Sequence, residues 1–290
     1  MGLNADELVL VSIGNSRTRA ARCFLAEREG SGVTGLQPPV VMDNGRGAGH
    51  VAEGIAELLA LSAAVDEGAD ANEGAALVVA SVNTTFSNEV LREVRQRRGE
   101  QGVRIFVLGA PGVRSEPNPG GALTLPIPMR LDLEVPITVG VDRVLCALAA
   151  QKKGGEAAVV IDAGTAVTVD FVDAFGVFQG GVIAPGMGMM LKALAAGTDA
   201  LPEVEPTGAL EEGVLGKTTR AAMRLGVLNA VRGLVHLQID RCAEMNGAYP
   251  RVIATGGDAA LLFENDQLVE HIIPDLILMG MQLAWEMTVE

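Results

Sequence analysis

Cysteine and histidine are scarce in this chain, with three of each among 290 residues. Cys23, Cys146 and Cys242 are far apart, and no Cys-x-x-Cys pair occurs. A disulfide framework and a zinc knuckle are therefore not expected, and the scattered histidines are expected to be surface or packed residues rather than metal ligands. This cysteine usage favours a reducing compartment, so we expect a cytoplasmic protein.

Long apolar runs and an excess of positive charge are also missing. No segment reaches the roughly 18 to 20 apolar residues that span a bilayer, and the first residues lack a basic start and an apolar signal core. We therefore expect no membrane segment and no export. The 22 Lys and Arg residues against 36 Asp and Glu residues give a net charge of −14, which disfavours nucleic acid as a partner. Small anionic ligands remain possible, because a glycine-rich turn offers backbone N–H groups whatever the net charge.

The composition is that of a folded chain with more than one core. Hydrophobic residues make up 49% of the sequence and charged residues 20%, which argues against a disordered or fibrous protein. A length of 290 residues favours two domains of similar size.

One pattern of apolar segments occurs twice. In the first copy, Leu8 to Ile13 and Thr18 to Leu25 predict a β-hairpin, and a third strand near Val40 to Met42 precedes a helix. In the second copy, a strand at 157–161, an alternating stretch at 167–171 and a strand at 177–184 precede another helix. The repeat predicts an α/β fold with domains at 1–154 and 155–290 and a ligand-binding cleft between them.

Further elements complete the expected organisation. The first domain is predicted to add a strand at 75–82, a helix at 86–98, a strand at 103–108 and a helix after Pro136, with a solvated loop at 66–74 and a long connection at 109–121. The second is predicted to add a long helix from Thr218 to Met245, a strand at 252–254, a glycine turn and a last helix from Leu276 to Met287.

Small-residue turns follow the first strand of each copy. They read Ser12-Ile13-Gly14-Asn15-Ser16 and Asp162-Ala163-Gly164-Thr165-Ala166, and a third turn, Thr255-Gly256-Gly257-Asp258, follows a later strand. A glycine that lets the backbone approach a ligand, flanked by hydroxyls and an Asp, can hold a nucleotide phosphate and its metal. One such turn would be an ordinary hairpin turn, but three after strands favour a phosphate site.

The motifs of the chain resemble those of type III pantothenate kinases, members of the superfamily of sugar kinases and actin-like ATPases. The matching segments follow the order of that family and are Gly14-Asn15-Ser16, Gly140-Val141-Asp142-Arg143, residues 162–170, Gly180 to Gly186, Thr219 before Gly226, Thr255-Gly256-Gly257, and Pro274-Asp275-Leu276 before Gly280. The resemblance implies two RNase-H-like domains with an interdomain cleft. It also implies transfer of the γ-phosphate of ATP to pantothenate, the first step of coenzyme A biosynthesis.

The same resemblance implies a role for each matching residue. Asp142 is similar to the base that faces the pantothenate hydroxyl, and Gly140, Val141, Asp142, Arg143 and Thr219 match the pantothenate contacts. Asp162 is similar to the ligand of a monovalent cation, K⁺ or NH₄⁺. Residues Ser12, Gly14, Asn15, Ser16, Thr165, Gly256 and Gly257 match the ATP contacts, with Mg²⁺ on the nucleotide. The family also implies a homodimer in which the second subunit completes the pantothenate pocket.

Each of these residues has a simpler interpretation as well. Asp142 suits the first turn of a helix, where the helix dipole favours a carboxylate, and Asp162 suits a turn at a strand end. Thr219 could cap the long helix that follows it. If Asp142 is the base, its chemistry is reasonable, because an Asp with a pKa of about 3.9 is ionised at pH 7 and can accept a hydroxyl proton.

Two positions depart from the family pattern. Ser12 stands where the family has an Asp that helps to hold magnesium, and a neutral hydroxyl is a weaker ligand for this cation. Leu133 stands where the family usually has a tyrosine near the pantothenate site. A non-catalytic, nucleotide-binding relative with a regulatory or accessory role is therefore the alternative, and a sugar kinase of the same superfamily is a third. Partial matches to a Walker A loop at 213–218 and to a dinucleotide fingerprint at 186–191 lack required glycines.

Overall fold

The computed structural model describes residues 7–25, 35–63, 76–98, 103–111, 122–206 and 214–289. Its chain divides into two compact units. The first comprises Met1–Arg130, Glu134–Ala149 and Leu276–Glu290, and the second comprises Leu131–Leu133 and Ala150–Asp275. The domains expected at 1–154 and 155–290 differ from these units mainly in the last helix, which belongs to the first unit.

Strands and helices alternate along the chain. In order they are β1 (Glu7–Ile13), β2 (Arg17–Phe24), β3 (Gly35–Leu36), β4 (Val40–Asp43), α1 (Ala48–Ala63), β5 (Ala76–Ser81), α2 (Thr84–Arg98), β6 (Arg104–Gly109), β7 (Leu123–Pro126), β8 (Arg130–Leu131), α3 (Val141–Gly154), β9 (Ala158–Ala163), β10 (Ala166–Val172), β11 (Val177–Pro185), α4 (Met187–Ala196), α5 (Thr219–Asn246), β12 (Arg251–Thr255), α6 (Ala259–Phe263), β13 (His271–Ile272) and α7 (Leu276–Val289). Short 3₁₀ helices occupy Asn44–Arg46 and Pro136–Thr138.

The first unit is built on a seven-stranded sheet with the order β3-β2-β1-β5-β6-β7, in which β4 also pairs with β2. Strands β1 and β2 are antiparallel, whereas β1, β5, β6 and β7 are mutually parallel. Apolar side chains fill both faces of the central strands. Val9 and Val79 pack with Ile55 of α1 and Val90 of α2 in one core cluster, and the alternate residues of β1 and β5 are buried too. Such two-sided burial explains the nearly continuous apolar runs of β1 and β5.

Helix α7 packs with the first unit because of its large apolar side chains. The Trp285 ring meets the ring of Phe106 on β6 edge-on, with centroids 4.8 Å apart, and both side chains are buried. This aromatic pair contributes to holding the C-terminal helix against the first sheet. The sequence predicted this helix but assigned it to the second domain.

The second unit is built on a six-stranded sheet with the order β13-β12-β9-β10-β11-β8. Strands β9, β10 and β11 form an antiparallel meander, and β12 runs parallel to both β9 and β13. The core places Ile161 and Val169 of the sheet with Val231 and Val235 of α5. In the first unit β2 likewise pairs antiparallel with both β1 and β4, so the three-strand pattern predicted twice from the sequence occurs in both units, and each unit is α/β as expected.

Some elements differ from the sequence prediction. The loop expected at 66–74 and most of the connection expected at 109–121 lie outside the described residues. Strands β3, β7, β8 and β13 and the short helix α6 were not predicted. Over the described ranges, no helix is both long enough and apolar enough to cross a membrane.

Candidate functional site

The first glycine turn joins β1 to β2 in the first unit. The backbone N–H of Gly14 donates to the carbonyl oxygen of Arg17 at 3.0 Å, which closes a tight turn. Asn15 and Ser16 lie at its exposed tip. Ser12 lies within β1, where it is buried between Arg19 of β2 and Ala80 of β5. The turn thus presents backbone and small polar groups to solvent at the end of a buried strand.

Asn44 supports this turn from outside the motif. Its Nδ2 donates to the carbonyl oxygen of Gly14 at 2.9 Å, and its Oδ1 accepts from the Thr18 hydroxyl at 2.7 Å. The sequence analysis gave Asn44 no role. It carries no signal of its own, because its partner Gly14 is thirty residues earlier in the chain.

Asp142 lies in the first turn of α3, within the first unit. Its Oδ1 accepts from the backbone N–H of Arg143 at 2.9 Å. Burial raises the pKa of Asp142 above the ordinary 3.8, and the backbone N–H and positive charge of Arg143 offset only part of that effect. A carboxylate with a raised pKa at a helix start is a candidate general base.

Gly140 makes room for the Asp142 carboxylate. A Cβ on residue 140 would lie 2.5 Å from Oδ1 of Asp142, well inside an ordinary contact. The carbonyl oxygen of Gly140 also accepts from the backbone N–H groups of Arg143 and Val144, at 3.1 and 3.4 Å. The four residues 140–143 therefore form one local unit in which the glycine and the aspartate depend on each other.

Asp162 lies near the end of β9 in the second unit, paired with Thr168 of β10 and Thr255 of β12. Gly256 follows β12 with φ of +96°, and a Cβ there would lie 2.5 Å from Oδ1 of Asp162 and would overlap the carbonyl of Ala163. The N–H of Asp258 donates to that carbonyl at 2.9 Å. The structure therefore brings Asp162 and the Gly256-Gly257 turn together, and only glycine fits at position 256.

Thr165 lies in the turn that follows Asp162. The N–H of Gly164 donates to the carbonyl of Ala166, and the N–H of Gly186 donates to the carbonyl of Thr165, both at 3.0 Å. The side chain of Thr165 is exposed. Backbone contacts thus fix the loop while its polar side chain faces solvent.

Thr219 is the first residue of α5, but it does not cap the helix. The cap is Thr218, whose hydroxyl oxygen accepts from the N–H of Ala221 at 3.1 Å. Thr219 itself is exposed. The capping interpretation of Thr219 is therefore wrong, because its neighbour fills that role.

Other predicted positions fall as follows. Leu133 belongs to the second unit, and its Cδ2 lies 3.2 Å from where a Cβ on Gly180 would be.

Among the residues that the structure describes, no group of three or more His, Cys, Asp or Glu side chains could hold a metal ion. Cys23 is buried, and its burial together with the charge of Glu286 raises the pKa of its thiol to about 12, which makes it a poor nucleophile.

Comparisons with known proteins give one consistent result. The family model for type III pantothenate kinases matches residues 8–241. The type III pantothenate kinase of Rhodopirellula baltica is 43% identical over 166 residues, which cover 52% of this chain and 59% of that protein. The enzyme of the same name from Akkermansia muciniphila is 38% identical over 154 residues, which cover 53% of this chain and 63% of that protein. The chain thus covers less than two thirds of the length of these relatives.

A solved structure matches the fold over nearly the whole chain. It is a putative 2-dehydro-3-deoxygalactonokinase from Sinorhizobium meliloti, with a TM-score of 0.52, 13% identity, and coverage of 96% of this chain and 97% of that one. At this identity the likeness shows the fold alone, which is α/β as expected. Because the family model covers well over half of the sequence, the chain belongs to the type III pantothenate kinase family.

Proposed function

We propose that this protein phosphorylates pantothenate with ATP to give 4′-phosphopantothenate and ADP, the first step of coenzyme A biosynthesis. The observation that carries the proposal is the Asp142 carboxylate, held at the start of α3 beside Arg143 with a raised pKa. It occupies the position that matches the base of the family. Nothing in the comparisons favours a non-catalytic relative.

In this reaction the primary hydroxyl oxygen of pantothenate attacks the γ-phosphorus of ATP. The bond from that phosphorus to the β,γ-bridging oxygen breaks, ADP leaves, and the hydroxyl proton passes to Asp142. Phosphoryl transfer has a loose transition state, so the main work of Asp142 is to orient the hydroxyl. A raised pKa makes the carboxylate a better proton acceptor.

The remaining assignments follow the motif. Gly140, Val141, Arg143 and Thr219 contact pantothenate, and Thr219 has an exposed hydroxyl available for that contact. Ser12, Gly14, Asn15, Ser16, Thr165, Gly256 and Gly257 contact ATP, which brings Mg²⁺ with it. Backbone N–H groups in tight turns suit phosphate oxygens, and Mg²⁺ needs few protein ligands because it keeps several waters.

Asp162 is proposed to hold a monovalent cation, K⁺ or NH₄⁺. Its Oδ1 lies in a recess that a Cβ on Gly256 would fill, next to the carbonyl of Ala163. Carboxylate and carbonyl oxygens are the donors that a hard cation takes, so the residues fit the ion. Bound there, the cation would supply positive charge beside the nucleotide turn.

The test is direct. The pure protein is incubated with ATP, Mg²⁺, K⁺ and pantothenate, and 4′-phosphopantothenate is sought by mass spectrometry, with hexoses as competing acceptors and the Asp142→Asn variant as control. The proposal is supported if pantothenate, and no hexose, is phosphorylated and if the Asp142→Asn variant loses this activity. Phosphorylated hexose would instead select a sugar kinase. Nucleotide binding without any product would select the non-catalytic relative.

A homodimer is proposed as the active form, located in the cytoplasm. The exposed face of α5 carries Gly226, Ala230, Gly233 and Leu237, and a Cβ on either glycine would meet nothing within 4 Å. Glycine in an exposed helix costs about 1 kcal/mol relative to alanine, a cost that close packing of a second helix can offset. Sedimentation at micromolar concentration should show a dimer, and Gly233→Glu should weaken it. A strict monomer that binds pantothenate would refute the shared pocket.

A further inference from the structure

The Asn44 side chain joins both ends of the first glycine turn. Through Nδ2 it holds the carbonyl of Gly14, the residue that opens the turn, and through Oδ1 it holds the hydroxyl of Thr18 on β2. Asn44 is only 9% exposed and Thr18 is fully buried. A buried amide with partners on two sides of a turn restrains the turn more than a surface contact would.

The backbone of Asn44 is held as firmly as its side chain. Its N–H donates to the carbonyl of Ser16, and its carbonyl accepts from the N–H of Gly47, both at 3.0 Å. The preceding Asp43 accepts from the N–H of Gly45 through Oδ1 at 2.9 Å and so caps the 3₁₀ helix that Asn44 begins. Asn44 therefore restrains the turn by hydrogen bonds to Gly14, Ser16 and Thr18.

Only asparagine meets both requirements at this position. The carbonyl oxygen of Gly14 can only accept a hydrogen bond, so it needs an N–H donor, which Nδ2 supplies. The hydroxyl of Thr18 donates to an acceptor, which Oδ1 of the same amide supplies. Aspartate would place an oxygen against the Gly14 carbonyl. Alanine would leave the buried Thr18 hydroxyl and the Gly14 carbonyl without these partners, and unsatisfied buried groups are costly.

We infer that Asn44 is a positioning residue for the nucleotide, which holds the Gly14-Asn15-Ser16 turn in the conformation that receives the phosphates. This inference rests on the proposed role of that turn in ATP binding. Asn44 acts through the turn rather than by touching the reacting atoms. Because a displacement of about 1 Å can cost about 10² in rate, loosening the turn should weaken the phosphate contacts without unfolding the unit.

The experiment compares three variants with a matched control. Asn44→Ala removes both side-chain contacts, Asn44→Asp keeps the size and the acceptor for Thr18, and Thr18→Val removes only the hydroxyl contact. The control is Arg98→Gln. Arg98 is the last residue of α2, and its Nη2 also donates to a backbone carbonyl oxygen, that of Leu59, at 2.8 Å. Binding of Mg-ATP is measured by calorimetry, together with the KM values for ATP and pantothenate, kcat and thermal unfolding.

We expect Asn44→Ala and Asn44→Asp to lower the affinity for Mg-ATP by about tenfold, with the KM for pantothenate unchanged, and Thr18→Val to lower it less. Arg98→Gln should lower the unfolding temperature and leave Mg-ATP affinity at the wild-type value. The inference is overturned if the Asn44 variants lose only thermal stability, or if Arg98→Gln weakens Mg-ATP binding equally. Should Asn44→Ala fail to fold, the two isosteric variants decide the question.

The two proposals fail in different ways. If the wild type binds Mg-ATP but forms no 4′-phosphopantothenate, the proposed function fails, while the calorimetric comparison still decides the role of Asn44. If the wild type makes product and all variants bind Mg-ATP equally well, the role of Asn44 fails and the proposed function stands.

Discussion

Replacing Gly140 by alanine should slow phosphoryl transfer through Asp142. The added Cβ would lie 2.5 Å from Oδ1 of Asp142, whereas ordinary contacts begin near 3.4 Å, so the carboxylate has to move by about 1 Å. A shift of that size at a positioned base costs about 10² in rate, which corresponds to about 2.7 kcal/mol of activation free energy. Gly140 does not have a positive φ, so alanine itself fits the backbone there.

The assay is a double-mutant cycle on kcat with saturating ATP and pantothenate. Asp142→Asn alone should lower kcat by about 10² to 10⁴, the usual contribution of a positioned base. If Gly140 acts by making room for the carboxylate oxygen, adding Gly140→Ala to that variant should change kcat by less than about threefold. The two losses should therefore be far from additive.

Two results would refute this reasoning. Wild-type kcat in Gly140→Ala would mean that the Asp142 carboxylate needs no fixed position. A further loss of about 10² in the Asp142→Asn background would mean that Gly140 affects kcat by some route other than the position of the Asp142 carboxylate. Thermal unfolding of each variant separates both results from a loss of fold.

Four further predictions follow from single contacts. Because burial raises the pKa of Asp142 above 3.8, the folded state binds this proton more tightly than the unfolded state does. The free energy of unfolding therefore falls as the pH rises from 3.8 through the raised pKa of the folded state. Asp142→Asn should therefore unfold at a higher temperature than wild type at pH 7, with the difference vanishing below pH 3.8. Arg232→Ala should cost about 1–2 kcal/mol in denaturant unfolding, because Nε of Arg232 donates to the carbonyl of Leu262 at the end of α6 at 2.7 Å. Ser12→Asp should lower the Mg²⁺ concentration that gives half-maximal rate, and an unchanged metal dependence would mean that Ser12 does not face the metal. Turnover should need K⁺ or NH₄⁺, and equal rates in Na⁺ and K⁺ buffers would remove the cation role of Asp162.

The sequence predicted the long elements and missed the short ones. The apolar runs of β1 and β5, and the alternating residues of β2, reflect burial on both faces or one face of a sheet, which the sequence pattern records directly. The two-residue strand β13 has no such pattern, because it exists only through its parallel pairing with Ile253 and Ala254 of β12. A strand that depends on its neighbour for hydrogen bonds cannot be read from its own two residues.

The residues of the candidate site also fall into those that the sequence could indicate and those that it could not. Gly14 and Gly256 could be picked out because the chemistry of a tight turn limits the residue types that fit there, whereas Asp142 was picked out through its match to the family motif. Asn44 could not, because its contact with Gly14 depends on the pairing of β4 with β2. The pKa shift of Asp142 was likewise out of reach, since burial is a property of the fold.

Both glycine turns that are proposed to bind ATP depend on supports that lie outside their motifs. The first turn rests on Asn44, and the turn after β12 rests on the carbonyl of Ala163, which accepts from the N–H of Asp258. Ser12 replaces the carboxylate of the family in the first turn, yet the hydrogen bonds that fix that turn run through Gly14 and Ser16 and do not involve the side chain at position 12. The loss of one charged ligand can therefore leave the shape of the turn intact. On this argument, a serine at position 12 would change how tightly the proposed metal is held rather than whether the phosphates fit the turn.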